Sequence, residues 1–97
     1  GSAGYKRTLV KEGASVGANA TVVCGHTVGK WALIGAGAVV ASNVPDHALM
    51  LGVPAKQCGW VCECGQKLCP DDVAQFRCPD CGRNYRLRDG SQIEEIK

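Results

Sequence analysis

A branched aliphatic residue recurs at every sixth position through the first half of this 97-residue chain. The members of this series are Val10, Val16, Val22, Val28, Ile34 and Val40. An amphipathic helix returns its apolar face after three or four residues, and a half-buried strand after two. Neither element has a period of six. We therefore predict short strands that are joined by tight corners and stacked into a solenoid.

The six-residue units have further regularities. From Val10 onward they are VKEGAS, VGANAT, VVCGHT, VGKWAL, IGAGAV and VASNVP, with Gly at the second place in three units and Ala at the fifth in four. Glycine costs about 1 kcal/mol inside a helix but suits tight bends. An ordinary small β domain rich in Val and Gly is the alternative, which six consecutive units in one phase disfavour.

These units, and the ending IGAGAVVASNVPDHALMLGVPAKQCGW, resemble the hexapeptide-repeat acyltransferases from about Thr8 to Trp60. The resemblance implies a left-handed parallel β-helix with three sides per coil, and the ending is similar to the UDP-amino-sugar N-acetyltransferases. Residues 10–45 amount to about two coils, which are too few to cover their own faces. The resemblance thus implies a homotrimer, and further coils upstream in a full-length enzyme.

The composition changes near residue 60, where Gly, Ala and Val give way to Cys, Asp, Arg and Glu. We expect a tag remnant or leader over 1–7, the β-helix and its tail over 8–59, and a second module over 60–97. No run reaches the ~18 apolar residues of a membrane span. A net charge of +2 gives no prior for nucleic acid. Cysteines at paired spacing, with an odd total of seven, favour metal in a reducing cytoplasm over disulfides.

The second module carries two cysteine pairs at the spacing of a metal site. The four candidate ligands are Cys62, Cys64, Cys78 and Cys81. A glycine follows each pair, which allows a turn with backbone N–H groups directed at sulfur. The CxC pair is tighter than the usual CxxC, so Cys58 or Cys69 could replace one of its members.

The cysteine set resembles a rubredoxin-like zinc ribbon, which makes the whole chain all-β. Four thiolates around one Zn²⁺ close its coordination shell, so we predict a structural zinc ion without a catalytic role. We expect strands at 76–78 and 84–87 beside the second knuckle. Nucleic-acid binding is disfavoured, because acidic residues interrupt the arginines of this module.

Acetyl-CoA is the acyl donor that the resemblance implies, bound in the groove between neighbouring subunits. Carried over by position, the contacting residues would be Ala18, Ala36, Ala41, Ser42 and Lys56. A side chain larger than Ala would obstruct the pantetheine arm, and a lysine suits a phosphate. Many relatives use a loop histidine upstream of these coils, so no catalytic residue is assigned. His26 and His47 are more simply explained as corner or surface residues.

Two functions remain open from the sequence. The first is the C-terminal part of an acetyl-CoA-dependent acyltransferase acting on a nucleotide-linked amino sugar. The alternative is a non-catalytic trimeric scaffold that displays zinc ribbons to a partner.

Overall fold

The computed structural model describes residues 7–89 and 92–97, and their regular elements are β-strands. The strands are β1 Leu9–Val10, β2 Ser15–Val16, β3 Thr21–Val22, β4 Thr27–Val28, β5 Leu33–Ile34, β6 Val39–Val40, β7 Ala48–Leu51, β8 Lys56–Trp60, β9 Cys69–Asp72, β10 Gln75–Arg77, β11 Asn84–Leu87 and β12 Ile93–Ile96. Over these described ranges, no helix has the length and apolarity needed to cross a membrane.

The first six strands form a left-handed parallel β-helix, as predicted. β1 pairs with β4, β2 with β5 and β3 with β6, all parallel. Leu9 lies opposite Thr27, so one coil takes 18 residues and each six-residue unit supplies one of three sides. The branched aliphatics suit these short, half-buried strands, and each corner turns the chain onto the next side of the coil.

In each of the first five units, the corner contains a residue in the left-handed backbone region at the fourth place. These residues are Gly13, Asn19, Gly25, Trp31 and Gly37, with φ between 60° and 90°. Glycine and asparagine adopt this conformation readily, whereas tryptophan does not. The Trp31 ring lies directly over Gly13, where no Cβ would fit. The fourth place is therefore the corner position of these five units, and four of them have glycine or asparagine there.

The burial of an interior aliphatic side chain depends on whether a neighbouring coil covers it. Val28, Ile34 and Val40 are 0% exposed, and they form the core with the small residues between them. Val10 and Val16 hold the same place one coil earlier but are 47% and 44% exposed. In the described structure no coil covers their outer side.

A third, shorter turn follows the two predicted coils. Val44 bridges Val28, and β7 pairs with β5, at an offset of 16 residues in place of 18. The side chains of Asn43 and Asp46 accept backbone N–H groups of the preceding coil at 2.9 and 2.8 Å. These bonds supplement the backbone ladder where the turn is shortened.

The chain then reverses into the second module. β8 pairs antiparallel with β7 and leads directly into the cysteine-rich segment. There the strands form one antiparallel sheet in the order β12-β11-β10-β9. Strands appear where the sequence predicts them, at β10 and β11, and β9 and β12 extend the sheet on either side of this pair.

Candidate metal centre and acyl-donor surface

The four predicted cysteine ligands come together at one point of the second module. The sulfur atoms of Cys62, Cys64, Cys78 and Cys81 all lie within 4.8 Å of one another. Two of the pairs, Cys62 with Cys81 and Cys64 with Cys78, are 3.5 Å apart. Four sulfurs at about 2.3 Å from a central Zn²⁺ would be about 3.8 Å apart, whereas a disulfide needs about 2.05 Å. The cluster therefore has the dimensions of a tetrahedral thiolate site.

The two knuckles position these sulfurs through similar turns. The N–H of Gly65 donates to the carbonyl of Cys62 (2.9 Å), and the N–H of Gly82 donates to that of Cys78 (3.1 Å). Both glycines have positive φ, 94° and 81°. Because other residues are strained in that conformation, a glycine after each pair is a local requirement of the turn.

Hydrogen-bond donors surround the sulfur cluster. The guanidinium of Arg83 donates to Cys81 Sγ at 3.4 Å, and the Tyr85 hydroxyl lies 3.3 Å from Cys62 Sγ. Tyr85 is fully buried, and this burial raises its pKa, so its hydroxyl keeps the proton that it offers to sulfur. Such donors stabilise the negative charge of thiolates that hold a metal.

Two thiols of the cluster, those of Cys81 and Cys64, differ widely in pKa. The backbone hydrogen bond at Arg83, followed by bonds from Cys62, Cys78 and the guanidinium, lowers the pKa of Cys81 to about 6. At Cys64 the backbone hydrogen bond at Gln66 lowers the pKa, but desolvation and the other three sulfurs together raise it to about 12. A metal that binds here must displace protons, so its affinity falls as the pH falls.

The remaining cysteines stand apart from this cluster. Cys24, Cys58 and Cys69 are exposed and free, and Cys69 lies on β9. Within residues 7–89 and 92–97, the one grouping of potential metal ligands found contains none of them. This arrangement therefore favours the four predicted ligands over a set that includes Cys58 or Cys69.

Three of the predicted donor-site residues lie along one corner of the β-helix. The N–H of Gly37 donates to the carbonyl of Ala18 at 2.9 Å, which stacks Ala36 directly beside Ala18. Lys56 pairs with Leu51, whose side chain lies against Gly35 at the same corner. Both alanines and the lysine are exposed. This corner presents small side chains, open backbone and a cation at one end.

The other two predicted residues lie at a different corner. Ala41 and Ser42 follow β6 and are exposed, as is Cys24 at the equivalent corner one coil earlier. Within one chain, β6 separates these residues from the corner that carries Ala36.

The contact between the two modules involves a residue whose role the sequence did not reveal. His47 Nδ1 lies 2.8 Å from the carbonyl oxygen of Val61, and its ring packs edge-on against Tyr85, with centroids 5.2 Å apart. No sequence pattern links His47 to Tyr85. His26, the other histidine, is half-buried at a corner of the first coil.

Comparison with known proteins finds several acetyltransferases similar to this chain. A dTDP-3-amino-3,6-dideoxy-α-D-galactopyranose 3-N-acetyltransferase from Aneurinibacillus thermoaerophilus is 46% identical over 86 residues, 89% of this chain and 44% of that enzyme. The solved serine acetyltransferase of Neisseria gonorrhoeae superposes with a TM-score of 0.56 at 38% identity, covering 57% of this chain and 22% of that one. A hexapeptide-repeat acetyltransferase of Vibrio cholerae, solved with acetyl-CoA, has a TM-score of 0.57 at 26% identity, covering 59% and 31%.

This chain belongs to the hexapeptide-repeat acetyltransferase family. No protein-family model matches the chain. It spans less than half the length of these three relatives.

The relatives differ in how much of this chain they match. Since the match to the sugar acetyltransferase covers 86 of 97 residues, 11 lie outside it, and wherever it begins it must include positions 12–86. It therefore includes the whole cysteine cluster. The serine acetyltransferase covers only 57% of the chain, about the share occupied by the β-helix.

Proposed function

We propose that this chain is the C-terminal part of an acetyl-CoA-dependent N-acetyltransferase that acts on a nucleotide-linked amino sugar. The observation that carries this proposal is the sugar acetyltransferase match, which continues through the cysteine-rich module. The serine acetyltransferase match covers a share of the chain no larger than the β-helix. The amino-sugar class is therefore favoured over an amino-acid acceptor.

The reaction would transfer an acetyl group from a thioester to an amine. The amine nitrogen attacks the thioester carbonyl carbon, the carbon–sulfur bond breaks, and CoA leaves as a thiolate while the amine loses a proton to a base. We assign no catalytic base in this chain. His47 is committed to contacts with Val61 and Tyr85, which argues against it as the base.

Acetyl-CoA would bind between the subunits of a homotrimer. The corner that carries Ala18 and Ala36 gives the pantetheine arm an open path, and Lys56 supplies a cation for phosphate. Ala41 and Ser42, at the neighbouring corner, would come from the adjacent subunit. Exposed outward aliphatics, including Leu9 at 54%, Val23 at 43% and Leu51 at 44%, support burial of these faces in an assembly.

The cysteine cluster would hold one structural Zn²⁺. The sulfur separations suit tetrahedral coordination, and four thiolates leave no open position for a water or substrate. The zinc would therefore stabilise the module, as in small domains whose metal supplies much of the folding free energy. Free cysteines and a nucleotide-sugar substrate suit a cytoplasmic protein.

The donor site is tested by calorimetric titration of acetyl-CoA into the wild-type protein and Ala36→Trp. We expect wild-type binding and its loss in the variant, because an indole would fill the path of the pantetheine arm. Val73→Trp is the matched control, since Val73 is 89% exposed on the ribbon hairpin, and it should bind normally. Absence of binding in the wild type would favour the scaffold alternative, and unchanged binding in Ala36→Trp would remove this corner from the site.

The metal is tested by elemental analysis of purified protein. One zinc ion per chain is expected in the wild type and in Cys69→Ser, but none in Cys62→Ser. The opposite pattern would show that Cys69 replaces Cys62 as a ligand.

A further inference from the structure

His47 occupies the corner where the β-helix meets the cysteine-rich module. Its backbone is in the left-handed region, with φ 63°, like Trp31 at the same corner one coil earlier. The N–H of His47 donates to the carbonyl of Lys30 at 2.8 Å, which fixes it to the preceding coil. This conformation is uncommon for residues other than glycine, although histidine adopts it more often than most.

Both backbone groups of Val61 are bonded to this one histidine. The N–H of Val61 donates to the carbonyl of His47 at 2.7 Å, and Nδ1 of His47 lies 2.8 Å from the carbonyl oxygen of Val61. The second contact places the ring proton on Nδ1, since a carbonyl oxygen can only accept. Val61 is 1% exposed and immediately precedes Cys62, the first ligand of the cluster.

A second path joins His47 to the same ligand through side chains. The imidazole packs edge-on against Tyr85, and the Tyr85 hydroxyl lies 3.3 Å from Cys62 Sγ. The same hydroxyl accepts the N–H of Glu63 at 3.3 Å. The imidazole therefore reaches Cys62 along the backbone on one side and through a buried tyrosine on the other.

We infer that His47 is a positioning residue that couples occupancy of the metal site to the last turn of the β-helix. With metal bound, Cys62 holds Val61 and Tyr85 in place, and these two residues hold His47 and the start of β7. Loss of the metal would loosen β7 and its partner β8, which carries Lys56. This inference rests on the proposed metal site and extends its effect beyond the ribbon.

The test compares His47→Gly with His47→Asn in zinc-loaded protein. Glycine keeps the left-handed backbone without strain but removes both side-chain contacts. Asparagine tolerates this conformation and can donate to the carbonyl of Val61, but it lacks the ring that packs on Tyr85. Asn19→Gly is the matched control, because Asn19 is also a left-handed corner residue, with φ 60°, and lies on another corner.

Two measurements separate coupling from a general loss of stability. The first is the rate of zinc transfer to a chromogenic chelator, which we expect to rise about tenfold in His47→Gly, less in His47→Asn and not in Asn19→Gly. The second is amide hydrogen exchange. In the wild type, chelation should increase exchange at Val61 and across 48–51, while zinc-loaded His47→Gly should exchange faster at Val61 before chelation.

The possible failures are distinguishable. If the wild type binds zinc but His47→Gly releases it at the wild-type rate, or chelation leaves exchange across 48–51 unchanged, the coupling is refuted and the metal site stands. If elemental analysis finds no zinc in the wild type, the metal site and the coupling are both refuted.

Discussion

Replacement of Gly17 by alanine tests how closely the coils approach each other. A Cβ at this position would lie 2.6 Å from the backbone nitrogen of Ala36 and 2.9 Å from its Cα. Both are backbone atoms of the next coil, so no side chain can move aside. The two coils would have to separate by several tenths of an ångström at this corner.

The expected cost follows from two opposing effects. Overpacking of this kind costs about 1–3 kcal/mol, while replacing glycine by alanine restricts the unfolded chain and returns about 0.4–1 kcal/mol. We therefore expect Gly17→Ala to lower the free energy of unfolding by about 1–2 kcal/mol. For a chain of this size, that corresponds to a fall in Tm of roughly 5–15 °C.

Gly59→Ala is the matched control. Gly59 lies in β8, and a Cβ there would meet its nearest neighbour, the end of the flexible Lys67 side chain, at an ordinary 3.5 Å. Only the unfolded-state effect remains, so Tm should stay constant or rise by roughly 5 °C. The assay is thermal unfolding followed by circular dichroism at one fixed protein and zinc concentration, because assembly and metal binding both shift Tm. Equal changes in the two variants would refute the argument from coil contact.

Three further predictions concern the corners, the knuckles and the assembly. Asn19→Ala should lower the free energy of unfolding by about 1 kcal/mol because φ is 60°. Asn19→Gly should leave the free energy of unfolding almost unchanged. Chemical denaturation of both variants measures these changes. Gly82→Ala should weaken zinc binding several-fold in a chelator competition. The cost is conformational strain, because φ is 81° and nothing lies within 4 Å of the added Cβ. Gly82→Asn should weaken zinc binding less. The zinc-loaded protein should have the mass of a trimer by light scattering at micromolar concentration, and a stable monomer would contradict the proposed donor groove.

The cysteine cluster shows how far local sequence predicts a site. The spacing of Cys62, Cys64, Cys78 and Cys81, with a glycine after each pair, was enough to select four residues whose sulfurs the fold brings together. This works because a knuckle is a local turn, and its geometry depends on a few consecutive residues. Whether the site holds zinc stays a prediction.

The contact of His47 with Tyr85 could not be predicted in this way. These residues are far apart in the sequence, and they meet because the third turn is shortened and β8 reverses the chain. Neither the 16-residue offset of that turn nor the addition of β12 to the sheet has a periodic signal. Both depend on where the chain returns after a reversal, which is a property of the whole fold.

The sequence by itself determined which residues of each six-residue unit point to the interior of the β-helix. The aliphatic series and the left-handed residues of the corners are properties of each six-residue unit, because corner geometry and strand alternation are set by neighbouring residues. Tertiary structure decided which of these equivalent residues are buried. Val16 and Ile34 hold the same place in their units, but Val16 is 44% exposed and Ile34 is 0% exposed. The difference arises because an interior aliphatic is shielded from water by the coils on both sides of it, whose residues are 16 to 18 positions away in the chain.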